Sequence, residues 1–256
     1  MHTELSIPVS ALYAFLIVLA RVSGVLVFTP LPGAQASPNA SRIVLALVLT
    51  VMLMPVAPVM VNPPALSILA LWAAAEAATG LLIGVAVSIL LESLQFAAHM
   101  IELPAGLSYA SIVNPESQAD STLLQVSTQL LGGLLFCALG FDRQVIRILA
   151  RSFQILPPGA LPARAPLSEA LIRAGAGIFI TGLRLAMPVL ALLLLVDVAI
   201  AVLGRIQAQL HLTHLSFSIK LLAGLLMLAG SLSFYPAMLE KPGNRMFTLL
   251  AGLLEP

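Results

Sequence analysis

The stretch that decides the fold is residues 65–101, ALSILALWAAAEAATGLLIGVAVSILLESLQFAAHMI. These 37 residues are almost wholly apolar, with Glu76 and Glu92 as the acidic exceptions and no proline. As one helix, rising about 1.5 Å per residue, the run would be roughly 55 Å long, whereas the hydrocarbon of a bilayer is about 30 Å thick. Two interpretations follow: the run folds back as a hairpin, or it exceeds the bilayer and is covered by protein.

A second run of the same kind spans residues 170–204, and Pro188 inside it predicts a break because proline removes a backbone donor. Shorter apolar runs occupy residues 9–31, 43–61, 122–141 and 221–239. None of the runs shows the alternation typical of strands. The sequence therefore predicts an all-α polytopic membrane protein with about six to seven long apolar helices, some of them broken or folded as hairpins.

The composition excludes several classes of protein. Hydrophobic residues make up 60% of the chain and charged residues 9%, whereas a soluble domain carries about 25% charged residues. A soluble monomer and a disordered chain are both excluded on this ground. The single cysteine cannot form a disulfide within the chain. No basic block interleaved with aromatic residues is present, so nucleic-acid binding is not expected.

Several charged residues interrupt the apolar runs. At the centre of a bilayer each would cost about 2.5–3.5 kcal/mol, so each should face protein, a polar cavity or the interface. A proton or ion relay is one interpretation, but Glu76 and Glu92 are 16 positions apart and lie on nearly opposite helix faces. We therefore favour structural pairing and predict these subunit-contact charges: Glu76, Glu92, Arg184, Asp197, Arg205 and Lys220.

Two glycines and two histidines also occur at spacings that bring residues to one face of a helix. Gly80 and Gly84 have the small-xxx-small spacing that lets a neighbouring helix approach closely. His211 and His214 share a helical spacing but lack nearby carboxylate or thiolate ligands, which makes a weak metal site. Motifs of hydrolases, metalloproteases and nucleotide-binding enzymes are absent from the sequence. We expect no metal, no cofactor and no catalysis.

The stretch 103–121, LPAGLSYASIVNPESQADS, differs in kind from the runs on either side. Small residues alternate loosely with bulky apolar ones before a turn signal at Asn114 and Pro115. Non-helical backbone survives at membrane depth only where protein buries it or water lines it. The loop is therefore either a surface connector or a channel plug, whose candidate residues are Gly106, Leu107, Ser108, Tyr109, Ala110, Ser111, Ile112, Val113, Asn114 and Pro115.

A proline-rich connector, residues 156–167, follows in the second half of the chain. Five arginines lie in or beside it, and short loops rich in basic residues tend to remain cytoplasmic. We therefore expect the segment 142–170 on the cytoplasmic side. The arginines are Arg143, Arg147, Arg151, Arg164 and Arg173.

Five segments, in this order and spacing, resemble the FliR family of flagellar type III export-gate subunits and its injectisome counterpart, the SctT family. They are TPLPGAQASPNASRIVLAL (29–47), GLSYASIVNPESQ (106–118), FQILPPG (153–159), MPVLALLLLVDVAIAVLGR (187–205) and QLHLTHLSFSIKLLAGLL (209–226). Ala208 departs from the family, which usually has proline there, and puts the bend near residues 205–214 in question.

The resemblance implies a function and a set of partners. A FliR-like subunit assembles with FliP-like and FliQ-like subunits into a channel for unfolded export substrates, and an FlhB-like subunit and an FlhA-like ring adjoin it. The loop 106–118 would be the plug. Residues 1–141 would be the FliP-like part and residues 142–256 the FliQ-like part of one structural unit, in the bacterial inner membrane at the flagellar basal body.

Two alternatives to a flagellar gate subunit stay open. The chain is alternatively a gate subunit of a virulence-associated injectisome, which belongs to the same class. A secondary solute transporter, with Glu76, Arg184 or Asp197 in a midplane site, is a different class. Transporters show internal repeats and broken helices, and no clear repeat is present in this sequence. A transporter should be stable alone, whereas a gate subunit should need other small membrane proteins.

Overall fold

The computed structural model describes residues 9–29, 39–56, 65–107, 123–160, 167–206 and 212–254. In these ranges the regular structure is helical and contains no strand, which confirms the all-α prediction. The α-helices are α1 (Val9–Phe28), α2 (Asn39–Leu53), α3 (Leu66–Ala105), α4 (Leu123–Ala138), α5 (Phe141–Ile155), α6 (Leu167–Ile206), α7 (Leu212–Ser231) and α8 (Tyr235–Leu254).

The two over-long apolar runs lie in helices α3 and α6. Each is one continuous helix of 40 residues, which corresponds to about 60 Å. The hairpin interpretation is therefore wrong for both. The predicted break at Pro188 is also wrong: proline already has a helical φ and removes a single hydrogen bond, while Leu185, Ala186 and Val189 around it are fully buried and hold the helix in place.

A break does occur between α4 and α5. The two helices meet at 64°. Gly140 lies at the joint with φ 70°, a left-handed conformation that favours glycine, and its N–H donates to the Cys137 carbonyl at 3.0 Å. By length and apolarity, the described residues contain four helices able to cross a membrane, or up to five if this bent pair forms one span. The fold is that of a polytopic membrane protein.

The chain divides into two compact units, each built from separate stretches of sequence. Unit 1 comprises Met1–Ile89, Phe136–Ala174 and Asn244–Pro256. Unit 2 comprises Leu90–Leu135 and Gly175–Gly243. The division of the chain into a FliP-like part, residues 1–141, and a FliQ-like part, residues 142–256, stays a prediction.

In α5, the spacing of apolar residues in the sequence matches the residues that are buried in the core of unit 1. Phe141, Val145, Leu149 and Phe153 recur every fourth residue and are all buried, which is the spacing of one helix face. The Phe141 ring packs against that of Phe247 in α8, with 5.4 Å between ring centroids. The opposite face of α5 carries exposed arginines at positions 143, 147 and 151.

Glycines let α1 and α3 approach each other closely in unit 1. A methyl group added to Gly24 would lie 2.5 Å from the Ala77 carbonyl oxygen, and one added to Gly84 would lie 2.7 Å from that of Val25. A methyl group on Gly80 would clash with the Arg21 carbonyl oxygen. The prediction from the Gly80–Gly84 spacing is thus confirmed, and the neighbouring helix is α1 of the same chain.

This crossing surrounds a buried ion pair. The Arg21 and Glu76 side chains are both 0% exposed and form a salt bridge. Arg21 Nη1 also donates to Ser152 Oγ at 2.9 Å, and its guanidinium lies 4.3 Å from the centre of the Phe153 ring. Glu76 Oε1 accepts the Gly159 N–H at 3.1 Å. The cluster therefore joins α1, α3, α5 and the turn that follows α5.

The buried pair corrects one expectation about the charges. Glu76 was predicted to be a subunit-contact charge, but it is enclosed within the chain and its partner is Arg21. A buried carboxylate needs a counter-charge and hydrogen-bond donors at short range. Arg21 and the Gly159 N–H supply both, so Glu76 needs no partner subunit for this purpose.

In unit 2, α6 packs against the last part of α3. The rings of Phe96 and Phe179 meet edge to face, with 5.1 Å between their centroids. A methyl group added to Gly182 would lie 2.7 Å from the Ser93 carbonyl oxygen, so this contact also needs glycine. In the same unit, Asp197 of α6 and Lys220 of α7 form a salt bridge.

We predict that Gly80→Ala destabilises the chain, although alanine favours a helix over glycine by about 1 kcal/mol. The added methyl group would push α1 and α3 apart. Gly177→Ala is the matched control, because no atom lies within 4 Å of its added methyl group. The measurement is the thermal midpoint of the detergent-extracted protein. Equal midpoints for the two variants would contradict the close approach.

We predict that Glu76→Leu and Arg21→Met each destabilise the chain by roughly 3–5 kcal/mol, because each leaves one buried charge unpaired. The double variant should lose less than the sum of the single losses, since both charges are then gone. Thermal midpoints of the four proteins form a double-mutant cycle. Additive losses would show that the two side chains do not interact.

Candidate functional site

The site predicted from the sequence is the plug loop, and the structure describes its beginning. Gly106 and Leu107 lie directly after α3. The other candidate plug residues, positions 108–115, lie outside the described residues. We call the segment 102–107 together with the first turn of α4 the stem of the loop, because the chain enters the loop from one and leaves it at the other.

The stem begins with a hydrogen-bonded helix end. Gly106 has φ 77°, and its N–H donates to the Leu103 carbonyl at 3.1 Å. The next N–H, that of Leu107, donates to the Glu102 carbonyl at 3.0 Å. This pair of bonds is the Schellman motif, which ends a helix at a residue with left-handed backbone, usually glycine. Gly106, the first residue of the resembling segment 106–118, is thus the residue at which α3 ends.

Three polar side chains of unit 2 meet across the stem. Gln125 in α4 places its amide nitrogen 3.2 Å from Glu102 Oε2 and 3.0 Å from His99 Nδ1. That nitrogen carries two hydrogens, so one amide can donate to both acceptors. His99 Nδ1 lies 3.4 Å from the same Glu102 oxygen. We call these residues the stem cluster: His99, Glu102 and Gln125.

Burial differs sharply within the stem cluster. The His99 side chain is 74% exposed, whereas that of Glu102 is 3% exposed. Glu102 Oε1 is buried and has no hydrogen-bond partner among the described residues. A buried carboxylate with so few donors is costly. Glu102 therefore depends on Gln125 for the hydrogen bond that reduces this cost.

The stem cluster cannot be predicted from the sequence. Glu102 and Gln125 are separated by the loop, so their contact depends on how the chain returns, which residue spacing does not reveal. One signal was present: Glu102 is an acid at the very end of an apolar run. Arg21 lies inside the apolar run 9–31, but its pairing with Glu76 and Ser152 depends on the tertiary structure.

The predicted subunit-contact charges fall into two groups. Asp197 and Lys220 pair with each other within unit 2, and both side chains stay partly exposed. Glu92, Arg184 and Arg205 are exposed. For these five residues, contact with partner subunits stays a prediction.

Large apolar surfaces are uncovered on the long helices. In the most apolar 18-residue window of Gly175–Ile206, 22% of residues are buried, and in that of Ser218–Gly252 the share is 17%. Among the exposed side chains of α6 are Phe179, Leu194 and Leu195. Apolar patches of this extent mark contact with lipid or with other proteins.

The described part of the chain has polar clusters between its helices. Within the described parts of the chain, His, Cys, Asp and Glu form no group of three or more that could hold a metal ion. Its polar clusters tie helices together and lie among apolar surfaces. Such a structure can seal, position and assemble.

Comparison with known proteins adds the family. The model of a family described as "Bacterial export proteins, family 1" matches residues 12–245. The flagellar biosynthetic protein FliR of Pectobacterium carotovorum is 30% identical over 243 residues, which cover 94% of this chain and 91% of the relative.

Two further relatives carry the same name. FliR of Escherichia coli is 29% identical over 240 residues, covering 92% of this chain and 90% of the relative. FliR of Bacillus subtilis is 27% identical over 221 residues, covering 84% of each. The match thus extends over nearly the whole chain, and it includes the resembling segments noted in the sequence. The chain belongs to the FliR family of bacterial export proteins.

Proposed function

We propose that this protein is a non-enzymatic subunit of the flagellar type III export gate in the bacterial inner membrane. With FliP-like and FliQ-like subunits it forms a channel for unfolded export substrates, next to FlhB-like and FlhA-like export proteins. The flagellar assignment rests on the relatives, all three of which are named flagellar biosynthetic proteins. An injectisome gate subunit would share this fold, and a solute transporter is the alternative of another class.

The length of two helices supports the proposal in addition to family membership. Helices α3 and α6 have 40 residues each, so each is about twice as long as the bilayer hydrocarbon is thick. Tilt absorbs only part of such an excess. The long, mostly uncovered α6 therefore needs protein neighbours over part of its length. A hetero-oligomeric gate provides them.

The plug is the second part of the proposal. Residues 106–118 form a short, small-residue segment between two apolar helices. Apolar side chains close a narrow passage by excluding water, and small neighbours reduce the steric barrier to displacement. Support comes from the described start of the segment, since α3 ends at Gly106 and the next described helix, α4, begins at Leu123.

We test assembly first. The tagged chain should be recovered from detergent in a complex when it is produced with its FliP-like and FliQ-like neighbours, and should aggregate when it is produced alone. Mass measurement of the purified particle distinguishes the outcomes. A stable chain that binds a small solute by itself would favour the transporter instead.

Deletion of residues 106–113 should make the assembled gate leak small ions, because the channel loses its apolar closure. The amount of assembled complex should stay close to that of the wild type. A membrane-potential dye reports the leak in cells with matched amounts of complex. Unchanged conductance in a fully assembled deletion variant would contradict the plug.

Arg184→Ala and Arg205→Ala should reduce assembly, since both arginines are exposed on apolar α6 and are predicted to meet partner subunits. We expect a loss of a few-fold in co-purified partner subunits. Normal complexes whose secretion has lost its dependence on proton motive force would instead indicate a relay.

A further inference from the structure

We propose that one face of α5 binds the headgroups of acidic phospholipids at the membrane surface. This face carries Arg143, Arg147 and Arg151, which are all exposed and recur every fourth residue. The spacing places the three side chains in one row along the helix. We call this row the arginine face of α5. The inference rests on the fold of a membrane protein and is independent of the proposed gate.

Helix α5 is too short and too charged to cross a bilayer by itself. Its 15 residues correspond to about 22 Å, whereas the hydrocarbon is about 30 Å thick. The apolar face of α5 is already packed inside unit 1 through Phe141, Val145, Leu149 and Phe153. The arginine face is therefore the one that α5 presents to its surroundings.

The charges around the arginine face are strongly in favour of cations. Apart from the Arg21–Glu76 pair, the described side chains of unit 1 include a single acid, Asp142, in the first turn of α5. The same described side chains include six arginines: Arg42, Arg143, Arg147, Arg151, Arg173 and Arg245. A surface with this imbalance attracts anions.

Helix α8 extends the cationic surface at one end of the arginine face. The Gln144 amide of α5 donates to Asn244 Oδ1 of α8 at 3.2 Å. Arg143 and Arg245 are the exposed sequence neighbours of these two bonded residues. The hydrogen bond therefore brings a fourth arginine to the start of the row.

Two arginines of the row are available to an external anion. The side chains of Arg143 and Arg147 have no hydrogen bond or ion pair with another described residue, whereas Arg151 already takes part in an interaction. Like charges four positions apart repel each other and weaken a helix. An anion held between Arg143 and Arg147 would turn this repulsion into attraction.

Acidic phospholipid is the anion that fits this surface. A guanidinium group binds phosphate oxygens through paired hydrogen bonds. Ile146 lies beside Arg143 and Arg147 and is 41% exposed, so an apolar side chain accompanies the cations, as at the boundary between headgroups and acyl chains. The apolar helices of the chain keep α5 close to lipid. The expected cytoplasmic side of residues 142–170 is also the side where basic segments meet acidic lipid.

The test measures lipid affinity of the full chain, purified in neutral detergent with any subunits that accompany it. Fluorescently labelled phosphatidylglycerol is the probe, and phosphatidylcholine with the same label is the reference. An arginine near a membrane surface strengthens binding about fivefold. Arg143→Gln and Arg147→Gln should therefore each weaken phosphatidylglycerol binding about fivefold, and the double variant about 25-fold. Added salt should weaken wild-type binding, because it screens exposed charges.

Two control variants separate charge from general damage. Arg143→Lys with Arg147→Lys keeps both charges and loses only the paired hydrogen bonds, so its affinity should stay within about threefold of the wild type. Gln154→Ala changes an exposed, neutral residue three turns after Arg143 on the same face of α5, and its affinity should equal that of the wild type. Without lipid, all variants should share the wild-type thermal midpoint, because the substituted side chains are exposed.

Several results would overturn the lipid site. Equal wild-type affinity for the two lipids, or unchanged phosphatidylglycerol binding by the double glutamine variant, would show that the arginine face does not recognise acidic lipid. A lysine variant as weak as the glutamine variant would show that charge is not the cause. Displacement of the lipid by millimolar glycerol 3-phosphate would indicate a site for soluble anions instead. Loss of a co-purified subunit from the glutamine variant, with lipid affinity unchanged, would assign the face to a protein contact.

Discussion

Helix length is the constraint on which the rest of this structure depends. A helix of 40 residues has one length, about 60 Å, and cannot be fitted into 30 Å of hydrocarbon by tilt alone. The excess must be covered by protein or lie in water, and leucine and phenylalanine side chains exposed on α6 make water unfavourable. The backbone dimensions and the composition together therefore favour the assembly with partner proteins proposed above.

The charged residues show how the chain remains stable within these limits. Arg21 with Glu76, and Asp197 with Lys220, are each paired inside one unit of the chain. The first pair is fully buried, with Ser152 and Gly159 adding hydrogen bonds. Removal of either partner would leave the other charge buried and unpaired. The pair lies beside the glycines at which α1 and α3 cross.

Residue patterns predicted the helices and their contacts unevenly. Apolar runs were sufficient for the all-α fold, and the Gly80–Gly84 spacing was sufficient for the close crossing. Pro188 was misleading, because the packing of buried neighbours outweighs the loss of one hydrogen bond in a long helix. The stem cluster was invisible in the sequence, since Glu102 and Gln125 meet only after the chain has left and returned. Local rules find elements, and contacts across a loop require the tertiary structure.

The two kinds of polar contact described in this chain differ in how strongly they resist separation. The Arg21–Glu76 pair has opposite charges, full burial and several donors, so breaking it leaves bare charges in an apolar core. The Glu102–Gln125 contact has one charge and one neutral amide beside an exposed histidine. Its rupture costs one hydrogen bond, and the carboxylate gains water in return. The weaker contact lies where α3 ends, and the stronger one lies in the helical core of unit 1.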